Sequence, residues 1–220
     1  TQNYFAVAPC ICRRMTKIQR RGCDAPEEAC LSFGDWAEYY VRIGRAREIT
    51  RAEVLDILVQ ADKHNLVLQP SNSVDISFIC CCCGCCCGMM NAVRHFDIRG
   101  AIVSSNWIME VDQNRCKGCG KCAAICPVSA IEMQAVEEGG KKRMRAKRDE
   151  SLCLGCGVCP GVCKFDALHM TPREKRVFTP ENTFDRMVHM ALERGKLMDL
   201  IFDSPENLGY RALGRILSII

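Results

Sequence analysis

The chain has 220 residues and a formal net charge of +4, and 19 of its residues are cysteines. Hydrophobic residues make up 48% and charged residues 25%, which is typical of a globular protein and excludes global disorder. The odd number of cysteines argues against a secreted disulfide scaffold, so we expect reduced thiols in the cytoplasm. The most apolar stretch, residues 76–90, is shorter than the roughly 20 residues of a membrane-spanning helix, and no transmembrane segment is predicted.

Residues 1–105 are predicted to form a cysteine-rich N-terminal region of mixed helices and strands. Thr50 and Glu53 have the spacing of a capping box, which predicts a helix over residues 51–64. A turn of the sequence Pro-Ser-Asn-Ser then separates two short apolar runs. We expect these runs to be strands at residues 66–69 and 74–79, the second leading into a cysteine tract at residues 80–87.

Residues 106–172 contain two copies of one cysteine pattern, C-x2-C-x2-C-x3-C. Each iron at the corners of an iron–sulfur cluster needs one soft thiolate, and this pattern supplies several thiolates in one short loop. Glycines between the cysteines allow the backbone to bend tightly and to direct N–H groups at the sulfurs. The first copy contains Cys116, Cys119, Cys122 and Cys126, and the second contains Cys153, Cys156, Cys159 and Cys163.

This repeated motif resembles the bacterial-type ferredoxin domain with two [4Fe–4S] clusters. The resemblance implies an α+β ferredoxin-like fold with pseudo-twofold symmetry. It also implies that three cysteines of each motif hold one cluster while the fourth crosses to the other cluster. One cluster is then expected to take Cys116, Cys119, Cys122 and Cys163, and the other to take Cys153, Cys156, Cys159 and Cys126.

The second motif departs from this family because Lys164 follows its last cysteine, where the family usually has proline. The two clusters are therefore not expected to be equivalent. The segment between the motifs is long, and residues 137–140 predict a hairpin turn followed by a basic run at residues 141–148. The run is interpreted either as a solvated hairpin or as a docking surface for an acidic redox partner. Nucleic acid or lipid binding is the remaining alternative, although the run has no aromatic platform for stacking bases.

Eleven cysteines lie outside the repeated motif, and three interpretations of them stay open. They could form a further metal centre with iron–sulfur or zinc, pack as small hydrophobic thiols, or act as a dithiol–disulfide switch. Neighbouring cysteines in a strand point to opposite faces, so one metal cannot take the whole tract unless Gly84 turns the chain. The candidate ligands of a further centre are Cys10, Cys12, Cys23, Cys30, Cys80, Cys82, Cys83, Cys85, Cys86 and Cys87.

The whole chain also resembles longer cysteine-rich ferredoxin-domain proteins of anaerobic bacteria and archaea. The matching features are Cys10-Ile-Cys12-Arg13, the tract at residues 80–87 and the repeated motif, in that order. An anaerobic host is an expectation from this cluster type. This resemblance indicates the class of protein and adds no function for the N-terminal region.

Residues 173–220 contain no cysteine and are predicted to be a helical C-terminal region that starts at Thr179-Pro180. Without a nucleophile constellation or a nucleotide motif, we expect a non-catalytic electron-transfer protein or subunit. It is expected to dock to redox proteins within a larger oxidoreductase and not to bind nucleic acid. The alternatives are an iron–sulfur redox-sensing regulator and a catalytic subunit that uses an additional N-terminal cluster.

Overall fold

The computed structural model describes residues 3–98, 102–138 and 140–197. These residues form both helices and strands, with one five-stranded and two two-stranded antiparallel sheets, which confirms the α+β class. The described parts of residues 1–70 and 77–177 form one compact unit, and residues 71–76 join the described residues from 178 onward in a second. Across the described ranges, no helix has both the length and the apolar character needed to cross a bilayer.

The N-terminal part of the first unit is built on the five-stranded sheet. Each strand of this sheet runs antiparallel to its neighbours. In chain order its elements are β1 (Phe5–Pro9), α1 (Ile11–Ile18), β2 (Glu28–Phe33), α2 (Gly34–Arg42), β3 (Arg47–Ile49), α3 (Arg51–Lys63), β4 (Val67–Pro70), β5 (Phe78–Cys82) and α4 (Gly88–Phe96). The strands lie in the order β3-β1-β2-β5-β4.

Helix α3 begins at the capping box, as the sequence predicts. The Thr50 hydroxyl accepts a hydrogen bond from the backbone N–H of Glu53 at 3.2 Å, and the Glu53 carboxylate accepts one from the backbone N–H of Thr50 at 2.9 Å. The inward face of the helix packs on the sheet, where Val54 shares a buried core with Val7 and Leu31. Burial of this apolar face stabilises the helix against the sheet.

Strand β5 is displaced from its predicted position. It was expected over residues 74–79, whereas it includes the first three cysteines of the tract and pairs with both β2 and β4. Pairing with β2 places Cys30 opposite Cys80. Strand alternation directs Cys80 and Cys82 to one face and Cys81 to the other, where Cys81 is buried in the core beneath α3.

The rest of the first unit carries the two cysteine motifs. Its core includes Met109, Ile131, Ala146 and Leu168. The predicted hairpin is present in its two paired strands, although Gly139 in its turn lies outside the described residues. The elements are β6 (Trp107–Val111), α5 (Lys121–Ile125), β7 (Ile131–Glu138), β8 (Lys141–Arg148), α6 (Val158–Gly161) and β9 (Leu168–Pro172), with β6 paired to β9 and β7 paired to β8.

The second unit contains helix α7 (Thr183–Glu193), which begins later than the sequence predicts. The backbone carbonyl of Pro180 accepts a hydrogen bond from the N–H of Val74 at 2.8 Å, so Pro180 is in an extended connection and not in the first turn. The helix is capped instead by Asn182, whose side chain accepts from the N–H of Asp185 at 2.9 Å. Residues 198–220 of the predicted helical region lie outside the described residues.

Candidate metal centres

Two cavities lie at the two cysteine motifs. In each cavity, three cysteines come from one motif and the fourth comes from the other. This is the crossed grouping that the resemblance to dicluster ferredoxins implies. The first cavity is lined by Cys116, Cys119, Cys122 and Cys163, and the second by Cys126, Cys153, Cys156 and Cys159.

The loops that carry the first cysteines of each motif pass very close to a neighbouring strand. Gly118 and Gly155 hold equivalent positions, with φ of +68° and +67°. A Cβ atom at Gly118 would overlap the carbonyl oxygen of Met144 in β8, and one at Gly155 would overlap that of Trp107 in β6. Only glycine tolerates both the positive φ and such a close contact with the neighbouring strand. The two glycines therefore fix the position of each loop against that strand.

The fourth cysteine of each motif accepts a hydrogen bond from the backbone four residues later. The Ala130 N–H donates to Cys126 Sγ at 3.2 Å, and the Ala167 N–H donates to Cys163 Sγ at 3.5 Å. Hydrogen bonds to the cysteine sulfurs tune the potentials of iron–sulfur clusters. The same pair of contacts in both motifs reflects the predicted pseudo-twofold symmetry.

The eight cysteines fit a cationic iron–sulfur group. Burial raises the pKa of the Cys122, Cys156 and Cys159 thiols, because a thiolate loses its hydration inside the protein. Iron supplies the positive charge that offsets this loss, so cluster binding displaces these protons. Four soft donors around each cavity are also the ligand set that iron–sulfur clusters require.

Two arginines that the sequence analysis did not single out hold the cluster loops. The buried side chain of Arg145 donates to the carbonyl of Cys116, and Arg173 donates to the carbonyl of Cys153 at 2.5 Å. Cys116 and Cys153 are the first cysteines of the two motifs, so an arginine holds each loop at the same point, although the two arginines come from different elements. The usual alternation of buried and exposed residues along a strand could not have identified Arg145 as buried, because both it and the adjacent Ala146 are buried.

Replacing Arg145 with glutamine is expected to destabilise the first cluster loop by about 2 kcal/mol, since a hydrogen bond from a charged donor is lost at a buried site. The loss is measured by anaerobic guanidinium unfolding, followed through the iron–sulfur absorbance. Lys147 lies on the same strand with an exposed side chain, so Lys147→Gln is the matched control. Equal stability of the two variants would contradict this role for Arg145.

Four of the N-terminal candidate cysteines form a compact group of sulfur atoms. The Sγ atoms of Cys23, Cys83, Cys85 and Cys86 all lie within 4.8 Å of one another. The distances are 3.6 Å from Cys23 to Cys83, 3.9 Å from Cys23 to Cys86, and 3.6 Å from Cys85 to Cys86. Cys23 comes from the loop after α1, and the other three come from a turn at Gly84.

Three of the other candidate cysteines lie on the sheet, Cys30 on β2 and Cys80 and Cys82 on β5. Hydrogen bonds from Cys30 and Cys82 lower the pKa of the Cys80 thiol. A hydrogen bond from Cys82, together with backbone N–H groups at the start of α4, lowers the pKa of Cys87. Burial raises the pKa of the Cys12 thiol, which lies near Cys10 and Cys87 and also near Cys83 of the compact group. The structure thus separates the four compact cysteines from Cys10, Cys12, Cys30, Cys80, Cys82 and Cys87.

The turn of the cysteine tract contacts the second cavity. A Cβ atom at Gly84 would lie 2.7 Å from the Cα atom of Pro127, the residue that follows Cys126. Cys82 and Cys87 also share a buried core with Val128, which lines that cavity. The N-terminal cysteines and the repeated motif therefore meet in one packed region of the first unit.

Comparisons with known proteins agree with this geometry over the repeated motif. Residues 115–167 match the family model of a 4Fe-4S dicluster domain. A stretch of 35 residues is 49% identical to one subunit of the ion-translocating oxidoreductase complex of Methanosarcina acetivorans. That match covers 16% of this chain and 13% of the relative's length. Residues 115–167 are a 4Fe-4S dicluster domain of the ferredoxin type, and this domain implies two [4Fe–4S] clusters.

Proposed function

We propose that this chain relays single electrons as a subunit or docking partner of a larger oxidoreductase. The observation that carries the proposal is the pair of cavities in the dicluster domain, each lined by four cysteines with one crossing from the other motif. We propose these eight cysteines as the ligands. Bound [4Fe–4S] clusters supply one-electron redox chemistry, while the protein provides burial, hydrogen bonds and docking. The relative from an oxidoreductase complex supports this association.

The surroundings of the two cavities differ in charge and in exposure. Lys117 and Lys121 line the first cavity, where Cys119 is exposed and Phe165 is 41% exposed. The second cavity is lined by apolar side chains, including Leu154, and packs against the cysteine tract. We therefore place the docking surface for a redox partner at the first cavity. An acidic partner surface would complement its lysines.

A reducing compartment is part of the same proposal. The proposed ligands must stay as thiolates, yet neighbouring sulfurs lie close together, at 3.6 Å from Cys23 to Cys83 and from Cys85 to Cys86. Such neighbouring thiols persist where the cell keeps cysteine reduced, which favours the cytoplasm of an anaerobe.

Anaerobic titration of the full chain with a low-potential reductant is expected to take up about two electrons per chain, one for each [4Fe–4S] cluster. Electron paramagnetic resonance of the reduced protein should show two interacting clusters, because they are held in one small domain. Uptake of fewer than two electrons by a chain with full iron content would contradict the proposal.

The docking surface is tested separately with an anionic oxidant, ferricyanide, on the reduced protein. The rate of reoxidation is expected to fall as salt is added, because the lysines at the first cavity attract the anion. In a Lys117→Glu, Lys121→Glu variant the rate at low salt should be at least about threefold lower. Lys63→Glu, on the exposed end of α3, is the control. An equal effect in the control would place the docking surface elsewhere.

A further inference from the structure

The compact group of four cysteines lies outside the dicluster domain, and its geometry is that of a second kind of site. We propose that Cys23, Cys83, Cys85 and Cys86 bind a single tetrahedral metal ion, zinc or iron, through four thiolates. The site does not depend on the proposed electron relay, because none of these residues belongs to residues 115–167.

The distances between the sulfurs favour one ion over a cluster. A tetrahedral ion with metal–sulfur bonds of about 2.3 Å places its sulfurs about 3.8 Å apart. Because each thiolate of a [4Fe–4S] cluster bonds a different iron, its four sulfurs lie farther apart, at about 6 Å. The observed separations of 3.6, 3.6 and 3.9 Å, with every pair within 4.8 Å, match the single ion.

The dicluster domain provides an internal comparison for this geometry. Among the described residues, the four N-terminal cysteines are the one group of three or more such ligands that closes to within 4.8 Å. The eight cysteines of the two motifs are all described, and no three of them close to within this distance. The same chain therefore has two kinds of cysteine site, one spaced for clusters and one spaced for an ion.

A buried cation beside the group is a second and independent observation. The Arg13 side chain is 0% exposed, and it donates to the carbonyls of Pro26 at 2.6 Å and Cys81 at 2.7 Å. Its Nε atom is buried without a hydrogen-bond partner. The Cys83 sulfur lies beside its guanidinium.

A buried guanidinium is costly unless negative charge lies close to it. Four thiolates around a divalent ion carry a net charge of about −2, and this charge would offset the Arg13 cation. If the four cysteines were neutral thiols, they would give Arg13 no counter-charge. The arginine therefore favours the metal-bound thiolate form of the group over four protonated thiols.

Metal analysis of the full chain, purified without oxygen, tests the proposal. We expect one metal ion per chain in excess of about eight irons and eight sulfides, with no additional sulfide. If the ion is zinc, X-ray absorption at the zinc edge should show four sulfurs at about 2.3 Å and no short metal–metal distance. If it is iron, Mössbauer spectra should show one high-spin site distinct from the clusters. About twelve irons with twelve sulfides, or no additional metal, would overturn the proposal.

A matched pair of variants locates the ion. Cys23→Ser is expected to lose the additional ion while it keeps the iron and sulfide of the dicluster domain, because Cys23 belongs to the compact group and lies outside residues 115–167. Cys80→Ser removes a cysteine of the tract that lies outside the compact group, opposite Cys30 in the sheet, so it should keep the ion. Retention of the ion in Cys23→Ser would overturn the assignment. If a variant does not fold, the metal and sulfide analysis of the unmodified chain still tests whether the additional ion is present.

Discussion

Replacing Cys126 with alanine is expected to remove the cluster of the second motif and to leave that of the first. Cys126 belongs to the first motif in sequence, but it lines the second cavity with Cys153, Cys156 and Cys159. Loss of one of four thiolates leaves an iron without its ligand, and the cluster is lost or degraded. The iron content of the purified chain should therefore fall from about eight to about four.

The identity of the lost cluster is read by comparing four variants in pairs. Cys126→Ala should leave the same residual electron paramagnetic resonance spectrum as Cys153→Ala, and Cys163→Ala the same as Cys116→Ala. If Cys126→Ala instead resembled Cys116→Ala, each motif would hold its own cluster and the crossing would be wrong. Because the comparison rests on which spectra match, partial iron loading changes the intensities without changing the conclusion.

Replacing Gly155 with alanine is expected to be among the most damaging single changes outside the cysteines. The new Cβ would overlap the carbonyl oxygen of Trp107 and approach the Ser105 hydroxyl, and the residue has φ of +67°. The left-handed conformation alone costs about 1–2 kcal/mol, and displacement of β6 adds to it. We expect at least about 3 kcal/mol of destabilisation, with loss of iron from the second cavity.

Gly157→Ala is the control for this change. Gly157 also has a positive φ, +79°, but a Cβ there would have no atom within 4 Å. It should therefore cost about 1–2 kcal/mol, from backbone strain alone, and keep its iron. Anaerobic thermal unfolding and iron analysis measure both variants. Equal effects at the two glycines would show that backbone strain, and not the close approach to β6, controls the loop.

The features that the sequence predicted correctly are local ones. The capping box at Thr50 and Glu53 predicted the start of α3, and the repeated cysteine spacing predicted a dicluster domain that the family model confirms. Each depends on residues only a few positions apart. Contacts within one turn or one loop are set by short-range geometry, which the order of residues shows directly.

The features that were missed depend on which segments meet in three dimensions. Strand β5 lies later than predicted because its pairing with β2 and β4 selects residues 78–82 over the preceding polar segment. The sequence places Arg145 in a basic run, and nothing near it in sequence shows that its side chain reaches the Cys116 carbonyl. The compact sulfur group depends on Cys23 meeting a tract about sixty residues later, which spacing alone cannot show.

The contact between Gly84 and Pro127 has a consequence for any shortened form of this protein. Met90 and Val93 of helix α4 are buried in the same core as Val128 and Ala130, which lie beyond the first cysteine motif. A chain cut just before that motif would expose these apolar side chains to water, at about 25 cal/mol for each Å² uncovered. A fragment made to study the N-terminal cysteines alone would thus lose part of its own interior and tend to aggregate.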